Sequence, residues 1–365
     1  MKILQVINSL ATGGAEKLLL DTIPLYRKAG IEMDILLLWD NNQPFTKALK
    51  ALNCCKVFIL NESENYKDIY ALSNIIKLRK YLKAYDIVHV HLFPALYFVR
   101  LASIGLKTKL IFTEHNSHNR RIDNKKYKLL EQWCYRGYKK VVCISAEIQL
   151  RYTNYLKTPE RLVVIENGVH LSTIKNAKSY SKFEINSDFN TEDILLLQVS
   201  GFRKQKDQDT LITSLSFLSP NFKVVLVGDG ERKNELISLV KTLGLEKRVF
   251  FLGLRMDVAN LLKSVDIVVL SSHYEGLSLA SVEGMASGKP FVASNVPGLK
   301  EVVEGAGLLF EQGNAEELAR KIKELMHNQE HYTQVANACQ ERAQQYDIHK
   351  MVAKHNELYH EVFKK

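Results

Sequence analysis

The 365 residues include 46% hydrophobic and 25% charged side chains, the balance of a globular protein long enough for two domains with separate cores. No apolar run approaches the roughly 18 residues of a membrane span, and MKILQVINSLATGG lacks the charged region and cleavage site of a signal peptide, so the chain reads as intracellular. Residues 1–188 hold 29 Lys and Arg against 17 Asp and Glu (+12) and the rest 21 against 23 (−2), which points to an anionic surface near the first half. Five scattered cysteines (Cys54, Cys55, Cys134, Cys143, Cys339) without C-x-x-C spacing exclude a disulfide or zinc framework.

In chain order, residues 2–7 predict a first strand, a glycine-containing loop follows from Asn8 to Gly14, and a helix runs from about Ala15 to Ala29 with Gly30 as its cap. Apolar runs at 33–39, 57–60, 87–91, 109–113, 141–145 and 163–165 alternate with helical patterns, the signature of a parallel sheet covered on both faces. From His170 to Asp193 periodicity gives way to polar residues, as in a linker. A second alternating series then places strands at 194–199, 223–227, 249–252, 267–270, 290–293 and 307–310, and the tail from Asn314 is helical in pattern. The expected fold class is α/β, two Rossmann-like domains at 1–180 and 181–345 with a ligand-binding cleft between them, and a last segment at 346–365.

Several stretches carry chemistry. Gly13 and Gly14, followed by Glu16, sit in the turn after the first strand, where backbone N–H groups approach an anion unobstructed. VSGFRKQKD puts Arg203, Lys204 and Lys206 just beyond a strand's carboxyl end, where cations neutralise a leaving diphosphate. GDGERK after Val227 has Lys233 where a dinucleotide fingerprint needs a third glycine, which disfavours a dehydrogenase. SSHYEGLSLASVEGMASGKP sets Glu275 and Gly276 at the end of another strand, with a helix starting near Leu277 to Ser281, and Glu283 on that helix. Leu277 and Ser278 would aim N–H groups and the positive helix end at a phosphate, and Glu283 would accept from a diol such as a ribose.

Glu275-x7-Glu283, with the GG-x-E turn, the FR-x-Q-K-D stretch and the Asn167-Gly168-Val169 turn, resembles the motif set of retaining glycosyltransferases of family 4 (glycosyltransferase group 1), which have the GT-B fold. The resemblance implies that Glu275 contacts donor-sugar hydroxyls, Glu283 the ribose, Arg203 and Lys206 the diphosphate, and backbone around Gly228, Gly253 and Arg255 the nucleotide. It implies that His115, in TEHN, lies near the donor sugar, that Gly13, Gly14 and Glu16 lie near diphosphate and acceptor, and that the final helix crosses back to the first domain. Where relatives have an Arg this chain has Gly201, and Arg203 is expected to supply the charge. No metal or other cofactor is expected.

Asp86, His89 and His91 on one strand, with His115 beyond the next, invite a metal reading, but no acidic or cysteine partner completes the set, and His89 reads as structural. The segment with Arg120, Arg121, Lys125, Lys126 and Lys128 interleaves basic residues with Tyr127, Leu129, Leu130, Trp133 and Tyr135, which suits an anionic bilayer as well as a core-facing stripe with a solvated basic face. The expected activity is transfer of a sugar from a nucleoside diphosphate sugar, UDP-sugars favoured, to a hydroxyl of a glycan or polyprenyl-linked glycolipid in capsule, O-antigen or similar surface-polysaccharide assembly. The expected place is the cytoplasm and the inner face of its membrane, with no nucleic-acid partner. The alternatives are a nonhydrolysing sugar-nucleotide epimerase and a catalytically silent sugar-nucleotide-binding subunit.

Overall fold

The structure, a computed structural model, describes residues 1–115 and 120–364, with backbone alone at Arg120, Asp123 and Lys125. The chain forms two compact units, Met1–Gly168 with Ile348–Lys365, and Val169–Asp347.

The first unit is built on seven parallel strands, β1 (Lys2–Ile7), β2 (Glu32–Leu37), β3 (Val57–Ile59), β4 (Ile87–His91), β5 (Lys109–Glu114), β6 (Lys140–Cys143) and β7 (Leu162–Val164), in the order β3-β2-β1-β4-β5-β6-β7. The second has six, β8 (Ile194–Val199), β9 (Phe222–Val227), β10 (Val249–Gly253), β11 (Ile267–Leu270), β12 (Phe291–Ser294) and β13 (Leu308–Phe310), in the order β10-β9-β8-β11-β12-β13. All thirteen strands of the sequence reading are present, with ends shifted by up to two residues. They were legible because strands covered on both faces are continuous apolar runs, and Leu195, Leu196 and Leu197 are indeed wholly buried.

In each sheet the strand order reverses once, between β1 and β4 and between β8 and β11, and ligands of open α/β sheets bind beyond the carboxyl ends of such strands. The loops that follow these four strands begin at Asn8, Leu92, Ser200 and Ser271.

The stretch His170–Asp193 is not a loose connection. Helices Leu171–Lys175 and Lys182–Ile185 form within it, Ser181 and Glu184 make a reciprocal capping box, and Leu171, Ile174, Ile185 and Phe189 are buried in the second unit. Its polar residues are caps and turns, which composition alone does not separate from a linker. The last helix, Ile348–Lys364, belongs to the first unit and buries Met351, His355, Leu358 and Tyr359 there.

Candidate active site

In the second unit the loops after β8 and β11 bring Lys206 and Glu275 into contact, Nζ to Oε1 at 2.5 Å, with Glu275 only 5% exposed. Ser272 Oγ donates to the same carboxylate oxygen at 2.5 Å. A half-buried ammonium thus stands against an almost buried carboxylate at the switch point, and each fixes the other's direction. Arg203 is exposed and makes no side-chain hydrogen bond or ion pair among the described residues. Its Nε lies 3.8 Å from where a Cβ on Gly201 would stand, so it reaches over the place a side chain at 201 would take.

After Glu275, Gly276 leads into buried Leu277 and Ser278, and the helix Leu279–Ala286 opens with Ser278 as its N-cap residue. No side-chain hydrogen bond caps that end. Because the helix starts at Leu279, Glu283 lies one turn inside it. It is half-buried and lines a small cavity with Val199, Leu270 and Phe291. Gly298, which sequence reasoning passed over, closes the other side of the Glu275 loop. With φ +84°, it packs so tightly that a Cβ would fall 2.2 Å from Glu275 O and 2.7 Å from Gly276 O.

The neighbouring loops pack backbone on backbone. A Cβ at Gly228 (φ +139°) would sit 2.1 Å from Ser200 O, one at Gly230 2.5 Å from Phe202 O, and Gly228 N donates to Gly253 O at 2.9 Å. Arg255 is committed to Asp257 by two hydrogen bonds, 2.7 Å from Nε and 2.5 Å from Nη2, and Tyr180 OH donates to the same carboxylate at 2.9 Å. Arg255 above all, with Tyr180, holds the Asp257 carboxyl down at about 2.

In the first unit Gly13 is the N-cap of the helix Gly14–Lys28, and Glu16 folds back over it, its Oε2 2.2 Å from where a Gly13 Cβ would be. A carboxylate there accepts from hydroxyls and repels a second anion.

His115 joins a buried hydrogen-bond chain. His91 Nδ1 faces His115 Nε2 at 3.0 Å and His91 Nε2 faces Gln5 Oε1 at 2.8 Å. Gln5 Nε2 donates to Tyr359 OH at 3.1 Å, and His89 meets Tyr359 OH and Thr113 Oγ1, each at 2.7 Å. With Gln5 donating through its nitrogen, its oxygen must accept from His91 Nε2, so His91 Nδ1 accepts from His115 and His115 keeps Nδ1 as an acceptor. Burial lowers all four histidines of this region, His115 and His355 to about 4 and His89 and His91 well below their usual value. Both ring nitrogens of His89 and of His91 are spent on protein partners, and no three His, Cys, Asp or Glu among the described residues are grouped to hold a metal.

In the basic segment Arg121 Nε donates to Glu131 Oε1 at 3.0 Å, and its guanidinium lies 4.4 Å over Phe93. Burial pushes the fully covered Glu131 carboxyl up to about 7 even with this arginine alongside. Tyr135 and Cys134 face the core, while Tyr127, Leu129, Leu130 and Lys126 are exposed. The Arg120 and Lys125 side chains and Asn116 lie outside what is described. Among the described residues no helix is long and apolar enough to cross a membrane.

Two units, each with a parallel sheet whose order reverses once, and a Lys–Glu pair at the switch point of the second are the arrangement of the GT-B fold. Residues 12–173 match the family described as Glycosyltransferase Family 4 and residues 181–344 that described as Glycosyl transferases group 1. The chain belongs to this family and is a glycosyltransferase. It is 27% identical over 355 residues, 95% of this chain and 96% of the other, to an uncharacterized glycosyltransferase of Haemophilus influenzae. It is 30% identical over 247 residues, 64% and 63% of the two chains, to the UDP-Gal:alpha-D-GlcNAc-diphosphoundecaprenol alpha-1,3-galactosyltransferase of Escherichia coli. Anabaena HepE, solved with UDP-glucose, shares the fold with a TM-score of 0.85 at 24% identity over 99% of this chain and 100% of that one.

Proposed function

We propose that this glycosyltransferase is a retaining, metal-independent enzyme. It moves a sugar from a UDP-sugar to a hydroxyl of a glycan or polyprenyl-linked glycolipid acceptor in surface-polysaccharide assembly. The Lys206–Glu275 pair at the switch point carries the reading, because it holds one cation and one hydroxyl-orienting carboxylate together at the place where a diphosphate-linked sugar binds. A neighbour in fold was solved with UDP-glucose, and a relative is named for a UDP-galactose donor and a diphosphate-lipid acceptor, which supports the choice of UDP and of a lipid-linked glycan.

In this reading Glu275 accepts from the donor sugar's hydroxyls, and Glu283 accepts from the ribose diol. Backbone at Gly228, Gly253, Gly276, Leu277 and Ser278 approaches the nucleotide, and Leu254 and Met256, on either side of the committed Arg255, are exposed. Lys206 and Arg203 neutralise the diphosphate as the bond from the anomeric carbon to its oxygen breaks, so charge is met by fixed donors only as it develops. The acceptor oxygen bonds the same face of that carbon, its proton passes to the leaving phosphate oxygen, and UDP departs with the electron pair. Gly13, Gly14 and Glu16 would receive the acceptor hydroxyls, and His115, neutral, would offer Nδ1 to the sugar. The exposed Tyr127, Leu129 and Leu130 beside Arg121 and Lys126 would rest on an anionic bilayer at the inner face of the membrane.

Thermal-shift titration with UDP, GDP and ADP and their sugars tests the donor, since a ligand of the folded state raises Tm. UDP should give the largest shift and Glu283→Ala should remove it. No shift with any UDP compound at millimolar concentration would reject the donor site, and a product of inverted anomeric configuration by NMR would reject retention. Absence of flotation with anionic vesicles at physiological salt would reject the membrane contact.

A further inference from the structure

Gln198 is the one polar side chain in the apolar strand β8, and it is wholly buried. A buried amide costs free energy unless its atoms are paired, and here they are paired with the two loops that meet at the active site. Its Nε2 donates to Lys206 O at 2.9 Å and to Ser200 Oγ at 3.1 Å, and its Oε1 accepts from Ser271 Oγ at 2.9 Å. Ser271 Oγ also stands 2.6 Å from Asp207 O, and Asp207 is held at φ +43°, in the left-handed region that few non-glycine residues occupy. A second wholly buried amide, Gln208, donates to Ser200 Oγ at 3.0 Å and to Gly201 O at 3.1 Å. Along the rim, His273 N donates to Gln205 O at 2.7 Å and Gln205 Nε2 to Tyr274 O at 2.8 Å.

The Ser200–Asp207 loop is therefore fastened from beneath to the loop that carries Glu275. We infer that Gln198 is a positioning residue for the transfer: it touches no ligand, and its amide fixes the Lys206 backbone so that the ammonium stands on Glu275, ready for the diphosphate. This rests on the reading of Lys206 as the cation that meets the diphosphate. A mismatch of about 1 Å in such a group is enough to lose a large part of its effect.

The test is a double-mutant cycle on UDP affinity, measured by calorimetry on the full-length protein. Lys206→Met should weaken UDP binding about tenfold or more. Gln198→Met, close in size but without the amide, should weaken it three- to tenfold in the native background and leave it unchanged in the Lys206→Met background. Ser271→Ala, a smaller change chosen in case Gln198→Met fails to fold, should behave in the same way with a smaller loss. A merely structural role would weaken binding by the same factor in both backgrounds, and that result would overturn the proposal, as would native affinity in both Gln198→Met and Ser271→Ala. Native UDP affinity in Lys206→Met would instead overturn the reading of Lys206 beneath it, and the proposal would fall with it.

Discussion

The buried histidines make the first unit sensitive to acid, and the size of the effect follows from His355. This side chain is 5% exposed, meets Met351 O through Nδ1 at 3.1 Å, and lies 5.7 Å from the His89 ring and 6.0 Å from Tyr359. Burial lowers it from 6.5 to about 4. In the unfolded chain it takes up a proton as pH falls through 6.5, while the folded unit stays neutral until about 4, so stability is full above 6.5 and drains away between 6.5 and 4. At pH 5 the loss is about 2 kcal/mol for this one group, at roughly 1.4 kcal/mol per pH unit. His115 has the same direction and the same displaced value, and His89 and His91 add to it. Glu131 acts in the opposite sense: raised from 4.5 to about 7, it destabilises the fold as pH rises through that window and gives back about 2 kcal/mol on going from pH 7 to 5. Four histidines against one carboxyl leave a net loss toward acid.

Both tryptophans, Trp39 and Trp133, lie in the first unit, so urea unfolding followed by tryptophan fluorescence reports that unit without the second. Between pH 7 and 5 the native protein should lose stability, and His355→Leu should lose about 2 kcal/mol less over the same interval. Identical pH dependence in the two proteins would refute the reasoning.

Arg203→Ala should lower transfer by one to two orders of magnitude, and adding Gly201→Arg should restore much of it, because the two side chains would share one space; turnover assays on the pair decide this. If the proposed role of Glu275 at the donor sugar holds, Glu275→Gln should cut kcat about a hundredfold while UDP affinity stays within a few-fold. Gly298→Ala puts a Cβ against two backbone carbonyls at positive φ, and should cost about 1–3 kcal/mol and displace the Glu275 loop, seen as a lower Tm and a weaker response to UDP.

How far the sequence reading reached follows from which features are local. The strands were legible as apolar runs, Glu275 and Lys206 as motif positions in loops beyond strand ends, and Glu283 as a motif position on the helix that follows. Gln198 was not, because a glutamine inside ILLLQV carries no sign of the loop carbonyl and serine it will meet 8 and 73 residues away. Gly298 was missed because its need for positive φ and close approach arises from the Glu275 loop and not from its own neighbours. The histidine pair on β4 suggested a metal since both rings share a face, but their partners include Tyr359, 270 residues beyond His89. In the basic segment the sequence offered two faces, and only burial shows that Glu131 and Tyr135 face inward while Leu129 faces out.

That the last helix completes the first unit means the second is spliced into it as an insert. Both ends of the insert lie side by side, Val169 bridging Asp347 and donating from its N–H to Tyr346 O at 2.8 Å. On the ribosome, where domains generally close in the order they emerge, the sequence of events is inverted here. The segment that closes the later unit is finished at Asp347, whereas the earlier one waits for Met351, His355 and Tyr359 before its polar network has all its members. Until that helix is made, the face of the sheet it covers stays open, and Gln5 and His89 lack the Tyr359 hydroxyl that joins them.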